Sequence, residues 1–179
     1  NISSNFKAEQ AYLQYLCNKG FKDKGFADWN LEEWKQYLTQ VVYDEEGIAH
    51  EKEIIHFNSV KEIVKMYKDR AKYEINAVVK MGFEGYYLLV HSYISSAKRR
   101  GIARGSAGGS LLAFLCGIVD VDPIKYGLYF ERFIDVGALD LLKTNQITKK
   151  ELKIPDVDAD FSLTDRDKVM RFIIDTYGE

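Results

Sequence analysis

The sequence contains little proline, cysteine or net charge. Only two prolines occur in 179 residues, and 46% of the residues are hydrophobic, which excludes disordered and collagen-like chains. Two cysteines cannot form a disulfide framework, and Cys17 and Cys116 do not have metal-site spacing. We therefore expect one globular unit with reduced thiols, located in the cytoplasm.

The chain also has no strongly basic and no long apolar segment. Its 25 Lys and Arg residues against 27 Asp and Glu give a net charge of −2, so an anionic partner must be bound by a local patch and not by overall charge. The longest apolar run, residues 111–119, is interrupted by a glycine and is far shorter than the roughly 20 residues of a membrane span. We expect no membrane association. Because the chain starts without Met and ends without a helix stop signal, we expect a piece of a longer protein.

Hydrophobic periodicity predicts a mainly helical chain. One strand is predicted at 154–161, and 134–153 reads as a polar connection. Gly20 is predicted to cap the first helix, and Asn58-Ser59 to begin the third. The predicted helices cover residues 7–18, 31–40, 59–81, 86–100, 111–116, 123–133 and 165–177.

Residues 101–110, the Gly-Ser loop, lead directly into an apolar helix. Glycines allow backbone N–H groups to approach a phosphate, a helix start supplies unpaired donors, and Arg104 can make a bidentate contact. The sequence is neither a Walker loop nor a dinucleotide fingerprint. A flexible connection that ends in a serine N-cap explains the loop equally well.

Residues 154–161, the aspartate segment, alternate acidic and apolar side chains. In an extended chain Asp156, Asp158 and Asp160 share one face, with neighbouring Cα atoms about 6.5–7 Å apart. Two such carboxylates can bind a pair of divalent cations, the arrangement used in phosphoryl transfer. A polar strand face is the simplest alternative. A calcium loop is the other, although Phe161 stands where an EF-hand needs glycine.

Six stretches of the sequence, taken in order, form a specific set: 12–17 with Gly20, 81–90, 104–111, 120–123, 130–133 and 155–161. Together they resemble the palm of the C-family bacterial replicative polymerases, the alpha subunits of DNA polymerase III. They follow the family's order over nearly the whole chain from residue 8 onward, and the ordered set is much more specific than any single motif.

This resemblance implies an α+β fold, a helix-rich palm fragment similar to the polymerase-beta nucleotidyltransferases, with a small mixed sheet. It implies that Asp156 and Asp158 are catalytic and bind Mg²⁺ in a two-metal site. Asp160 would orient or repel neighbouring groups and would not be a metal ligand. Arg132 becomes a candidate phosphate contact, and a core role is an equal alternative for Arg132 and Asp160. The implied nucleotide-binding residues are Arg104, Gly105, Ser106, Gly109 and Ser110.

The whole protein would then be a DNA-directed DNA polymerase that transfers a nucleotide from a dNTP to a primer 3′-hydroxyl during replication. Its expected partners are primer–template DNA, dNTP and replisome subunits such as the sliding clamp. Within this chain, residues 1–57 are expected to be a helical lead-in and 58–179 the palm core. The family's PHP domain, thumb, fingers and second palm segment, which carries the third catalytic aspartate, are not expected here, so we expect the isolated chain to be inactive.

The sequence departs from the family in two places, and other functions stay open. The family usually has a proline-containing strand before the Arg-Gly-Ser loop, whereas here only Ile102-Ala103 separates Gly101 from Arg104. The connection from Phe133 to Pro155 is also longer than usual in the family. A non-catalytic relic or truncated palm would share every motif. A calcium-binding interaction module and a different nucleotidyltransferase are the remaining alternatives.

Overall fold

A computed structural model describes the backbone of residues 2–98, 101–102 and 105–178, with side chains from residue 7 onward. Over these residues the chain is mainly helical, with one two-stranded antiparallel sheet, which confirms the predicted α+β class. The elements are α1 Ile2–Asp23, α2 Leu31–Leu38, β1 Thr39–Tyr43, β2 Ala49–Glu53, α3 Val60–Met81, α4 Glu84–Ser95, α5 Leu111–Leu115, α6 Ala138–Lys143 and α7 Leu163–Tyr177, with 3₁₀ turns at Gly105–Gly109, Phe130–Arg132 and Lys149–Glu151.

Helix α3 is the central element of the core, and its predicted bounds are confirmed. The Ser59 side chain caps it by accepting from the Glu62 N–H, and Gly82 ends it in the left-handed conformation at φ +77°. Its apolar face packs on α1 and α5, and every residue of α5 is buried. This face carries Ile63, Tyr67, Ala71, Ile75 and Val78.

Gly20 does not cap α1, so that prediction was wrong. The helix continues to Asp23, and Gly20 lies where α1 crosses the end of α5. A Cβ atom added at Gly20 would lie 1.7 Å from the carbonyl oxygen of Leu115. Glycine is therefore required by the close approach of two backbones and not by the end of a helix.

The β-hairpin was not predicted. Strands β1 and β2 pair from Thr39 opposite Glu53 to Tyr43 opposite Ala49. The Asp44 carboxylate accepts from the Ile48 N–H at 2.8 Å and stabilises the turn. Because every residue of β2 is exposed, the strand lacks the apolar alternation from which a strand is predicted.

Three further predictions were wrong. Residues 123–133 form turns and the short 3₁₀ segment Phe130–Arg132 instead of a helix, and the polar connection contains α6. The aspartate segment is extended but is not a strand, since it has no ladder of backbone bonds with another described segment; Phe161 forms a single bridge. Its alternation persists nevertheless: Asp156, Asp158 and Asp160 are exposed, whereas the residues between them pack partly buried against the core.

Helices α2 and α7 agree with the sequence patterns. Helix α2 forms within 31–40, and α7 spans Leu163–Tyr177 with Val169 buried. Helix α4 begins at Glu84, two residues earlier than predicted, and it ends at Ser95, so the predicted continuation through residues 96–98 was wrong. Within the described ranges, no helix has both the length and the apolar character needed to cross a membrane.

Candidate functional site

The Gly-Ser loop lies directly against the aspartate segment. A Cβ atom added at Gly105 would lie 3.3 Å from Oδ2 of Asp158, and Gly105 adopts φ +64°, a conformation that favours glycine. At the first residue of the loop, the Gly101 N–H donates to the carbonyl oxygen of Asp160 at 2.8 Å. Two segments more than 50 residues apart in sequence are therefore adjacent in the structure.

A cavity of about 320 Å³, which we call the loop cavity, opens beside this contact. Its lining includes an arginine, a serine and two glycines, residue types that together suit an anionic group. The Tyr129 side chain at its edge is 66% exposed. The cavity is lined by Gly105, Ser106, Gly109, Leu128, Tyr129 and Arg132.

Gly109 holds the two sides of the loop cavity close together. A Cβ atom at this position would lie 2.5 Å from the carbonyl oxygen of Tyr129, so a larger residue would separate the loop from the 128–132 segment. The predicted nucleotide-binding residues Gly105, Ser106 and Gly109 thus share one cavity with Arg132. Arg104 lies outside the described residues, and its role stays a prediction.

Ser110 lies behind the loop cavity. It is the N-cap of α5, as the alternative interpretation of the loop, a connection that ends in a serine N-cap, predicted. Its hydroxyl accepts from the Ala113 N–H at 3.1 Å. The same hydroxyl donates to Oε2 of Glu74 at 2.8 Å, and the residue is fully buried. In this structure Ser110 fixes the end of the loop and does not face the cavity.

Glu74 of α3 occupies the start of α5, where the sequence predicted free donors for phosphate. Its carboxylate accepts from the Leu111 and Leu112 N–H groups at 3.0 and 2.9 Å. Arg70 Nε donates to Oε1 of Glu74 at 2.6 Å. Burial raises the pKa of Glu74, and these donors oppose that effect by stabilising the charged form.

The sequence patterns did not identify Glu74 as a site residue, although one signal was present. Glu74 lies on the apolar face of α3, next to Ile75 and one turn from Ala71 and Val78. A carboxylate on the buried stripe of an amphipathic helix requires partners in the core. Apart from Arg70, its partners are 36 to 38 residues away, so the signal predicts burial without predicting the contact with the loop.

Two tyrosines of α4 border the aspartate segment, and they too were not predicted as site residues. Burial chiefly raises the pKa of Tyr86, and the nearby charges of Asp156 and Asp158 raise it further. Burial and then Asp156 also raise the pKa of Tyr93. The spacing of seven residues places both tyrosines on one face of α4.

The donor set at the aspartate segment fits a hard divalent cation. Asp156 and Asp158 present exposed carboxylates, the ligand type that Mg²⁺ and Mn²⁺ prefer. Throughout 2–98, 101–102 and 105–178, however, no cluster of three or more His, Cys, Asp or Glu side chains could by itself hold a metal ion. These two aspartates can thus supply part of a metal site that is completed by other ligands.

The alternative calcium loop is not supported by the geometry. An EF-hand loop lies between two helices, and its first ligand directly follows the entering helix. Here the described residues 152–162, which precede α7, contain no helix. Asp167 stands at the last ligand position, where an EF-hand uses a bidentate glutamate.

Comparison with known proteins shows the family of the chain. The family described as bacterial DNA polymerase III alpha NTPase domain matches residues 45–179. The DNA polymerase III subunit alpha of Aquifex aeolicus is 38% identical over 155 residues, which cover 84% of this chain and 12% of the relative. The corresponding protein of Staphylococcus aureus is 39% identical over 182 residues, which cover 99% of this chain and 14% of the relative.

A third relative is similar over a shorter stretch. The DNA polymerase III subunit alpha of Thermus aquaticus is 40% identical over 114 residues, which cover 62% of this chain and 8% of the relative. The chain thus spans well under a fifth of the length of the curated relatives that it matches. Because the family match covers most of the sequence, the chain belongs to the bacterial DNA polymerase III alpha family.

Proposed function

We propose that this chain is the first palm segment of a replicative DNA-directed DNA polymerase. Residues 1–57 would be its lead-in and 58–179 would be the palm core that binds the incoming dNTP and the catalytic metal ions. The single observation that carries the proposal is the contact between Gly105 and Asp158. It brings a cavity suited to phosphate and a pair of carboxylates suited to metal next to each other.

The loop cavity would bind the triphosphate of the nucleotide. Arg132 can donate two parallel hydrogen bonds to phosphate oxygens, and Ser106 can donate one from its hydroxyl. Gly105 and Gly109 carry no side chains of their own, so their backbone N–H groups are not covered by a Cβ atom. Ser110 would act indirectly, by fixing where the loop ends.

Asp156 and Asp158 would hold Mg²⁺ at the mouth of this cavity. When bound, Mg²⁺ supplies Lewis-acid stabilisation of the charge that develops on the phosphate oxygens. The aspartates contribute position, because the extended segment fixes both carboxylates on the exposed side while Val157 and Ala159 pack inward.

The isolated chain would be inactive in DNA synthesis. Two carboxylates are an incomplete ligand set for two metal ions, and the described residues offer no cluster of three or more metal-binding side chains. In the whole protein the partners would be primer–template DNA, dNTP and other replisome subunits, including the sliding clamp.

Manganese binding tests the proposal. Electron paramagnetic resonance of aqueous Mn²⁺ would be recorded with the 179-residue chain, with and without dATP, against a reference of Mn²⁺ and dATP alone. We expect the chain to bind Mn²⁺, and we expect dATP to strengthen this binding. The double substitution Asp156→Asn/Asp158→Asn should remove protein-dependent binding, because amides cannot replace the charge of two carboxylates.

A matched control separates a site from general charge. Asp167→Asn/Asp175→Asn removes the same two charges from exposed positions on α7 and should leave Mn²⁺ binding unchanged. Circular dichroism would establish that each variant is folded. Equal Mn²⁺ binding by both double variants and the native chain would contradict the proposal.

A further inference from the structure

Arg70 and Glu74 form a buried ion pair that belongs to none of the motifs of the family resemblance. Glu74 is fully buried, and only 23% of the Arg70 side chain is exposed. A buried ion pair is a weak source of stability, because the loss of hydration offsets most of the attraction between the charges. The pair therefore calls for an explanation in terms of what it contacts.

The contacts of Glu74 all lead to the end of the Gly-Ser loop. Its two carboxylate oxygens accept from the Ser110 hydroxyl and from the N–H groups of Leu111 and Leu112. These three donors form the junction between the Gly-Ser loop and α5. Glu74 thus fixes the direction in which the loop enters the helix.

The contacts of Arg70 reach both sides of the loop cavity. Its Nη2 donates to the carbonyl oxygen of Gly109 at 3.0 Å and to that of Leu128 at 3.4 Å. Gly109 belongs to the Gly-Ser loop, whereas Leu128 belongs to the segment that carries Arg132, and both residues line the cavity. One guanidinium group therefore connects the two walls from behind while Glu74 holds its Nε.

An exposed pair on the same helix provides a contrast. Lys65 and Asp69 have the same spacing of four residues as Arg70 and Glu74, yet both are more than 60% exposed. Such a pair contributes little to stability and determines nothing elsewhere in the fold. The difference lies in the backbone groups that Arg70 and Glu74 contact.

We propose that Arg70 and Glu74 are positioning residues that set the spacing between the Gly-Ser loop and the 128–132 segment, and thereby the affinity of the loop cavity for a nucleoside triphosphate. This inference rests on the proposed function, since the proposed ligand is the nucleotide bound there. Neither side chain touches the nucleotide. Their effect passes through the backbone of Gly109 and Leu128.

The experiment measures the dissociation constant of Mn²⁺–dATP by isothermal titration calorimetry, at a temperature where every variant is folded. Arg70→Lys keeps the positive charge beside Glu74 but replaces the planar group with a single ammonium, which cannot reproduce the forked contacts. We expect this substitution to weaken binding about tenfold, because the cavity loses one of the charge-assisted hydrogen bonds that organise it.

Three further variants make the result specific. Ile75→Val truncates a buried side chain next to Glu74 on α3 and serves as the control for lost stability, and it should leave affinity within about twofold. Arg132→Gln tests the cavity itself and should weaken binding. Glu74→Gln, which keeps the size of the side chain, replaces Arg70→Lys if the lysine variant does not fold.

Each outcome decides between the two proposals. The positioning role is supported if Arg70→Lys binds Mn²⁺–dATP more weakly while Ile75→Val binds it with native affinity. If Arg70→Lys binds as tightly as the native chain while Arg132→Gln does not, the positioning role is wrong and the proposed function stands. If Ile75→Val weakens binding as much as Arg70→Lys, the effect is one of stability and the positioning role is again wrong. Failure of the native chain to bind Mn²⁺–dATP would overturn the proposed function, and the positioning role with it.

Discussion

The crossing of α1 and α5 predicts a large effect for the single substitution Gly20→Ala. In the native structure an added Cβ atom would lie 1.7 Å from the Leu115 carbonyl oxygen, whereas real Cβ atoms do not come closer than about 3.0 Å. The obstacle is backbone and cannot rotate away. The two helices would have to separate, and Leu13, Leu16 and Cys17 would lose close packing.

The expected magnitude follows from two opposing effects. Alanine gains about 1 kcal/mol over glycine inside a helix. Overpacking of this kind costs about 1–3 kcal/mol and more when the backbone must move. We expect the net free energy of unfolding to fall by about 2 kcal/mol, which in a domain of this size lowers the melting temperature by about 4–8 °C.

Gly85→Ala is the matched control. Gly85 also lies in a helix, but an added Cβ atom there would meet its nearest neighbour, the Glu9 carboxylate, at 3.7 Å, an ordinary contact. Differential scanning calorimetry should show Gly85→Ala as stable as the native chain or slightly more so. A Gly20→Ala variant that melts at or above the native temperature would refute the close approach of α1 and α5.

Other properties of the core and the site lead to further predictions. Asp122 accepts hydrogen bonds from the Tyr37 and Tyr67 hydroxyls at 2.9 and 2.5 Å. Urea unfolding of Asp122→Asn should show a free energy of unfolding lower by about 2 kcal/mol or more, because the amide leaves these donors without their charged acceptor. A urea midpoint equal to the native one would contradict this network. Burial raises the pKa of Tyr37 and Tyr67, and it raises that of Cys17 to about 12, above their values in the unfolded chain. Stability should therefore be fully present below about pH 9 and fall as the pH rises further, which urea midpoints at a series of pH values would detect; a midpoint constant up to pH 11 would contradict it. Template-dependent primer extension by the isolated chain, tested with radiolabelled primer and Mg²⁺, should be undetectable, and observed extension would show that its active site is complete.

Features that depend on local sequence could be predicted. Ser59 and Gly82 delimit α3 because a side-chain cap and a left-handed glycine act within a few residues. The alternating burial of the aspartate segment also follows from its own sequence, and it survives without a strand partner. The acidic residues and the Gly-Ser loop were recognised as a set because they occur in a specific order.

Features that depend on tertiary contact could not be predicted. The role of Gly20 is set by the carbonyl of Leu115, almost a hundred residues away. The position of Glu74 on the apolar face of α3 indicates burial but does not identify the Gly-Ser loop as its partner, and its contacts take up donors that the sequence had suggested for phosphate. Strand β2 was missed because a fully exposed strand has no apolar face to reveal it.

The most direct test of the central claim is whether one metal ion contacts both the aspartate segment and a bound nucleotide. The 179-residue chain would be labelled with ¹³C at its aspartate carboxyl carbons, loaded with Mn²⁺ and dATP, and studied by electron–nuclear double resonance. We predict that protein-bound Mn²⁺ shows ³¹P and ¹³C couplings together, and that Asp156→Asn/Asp158→Asn removes the ¹³C coupling. A ³¹P coupling without ¹³C coupling in the native chain would mean that the metal is bound by the nucleotide alone, and this result would contradict the account.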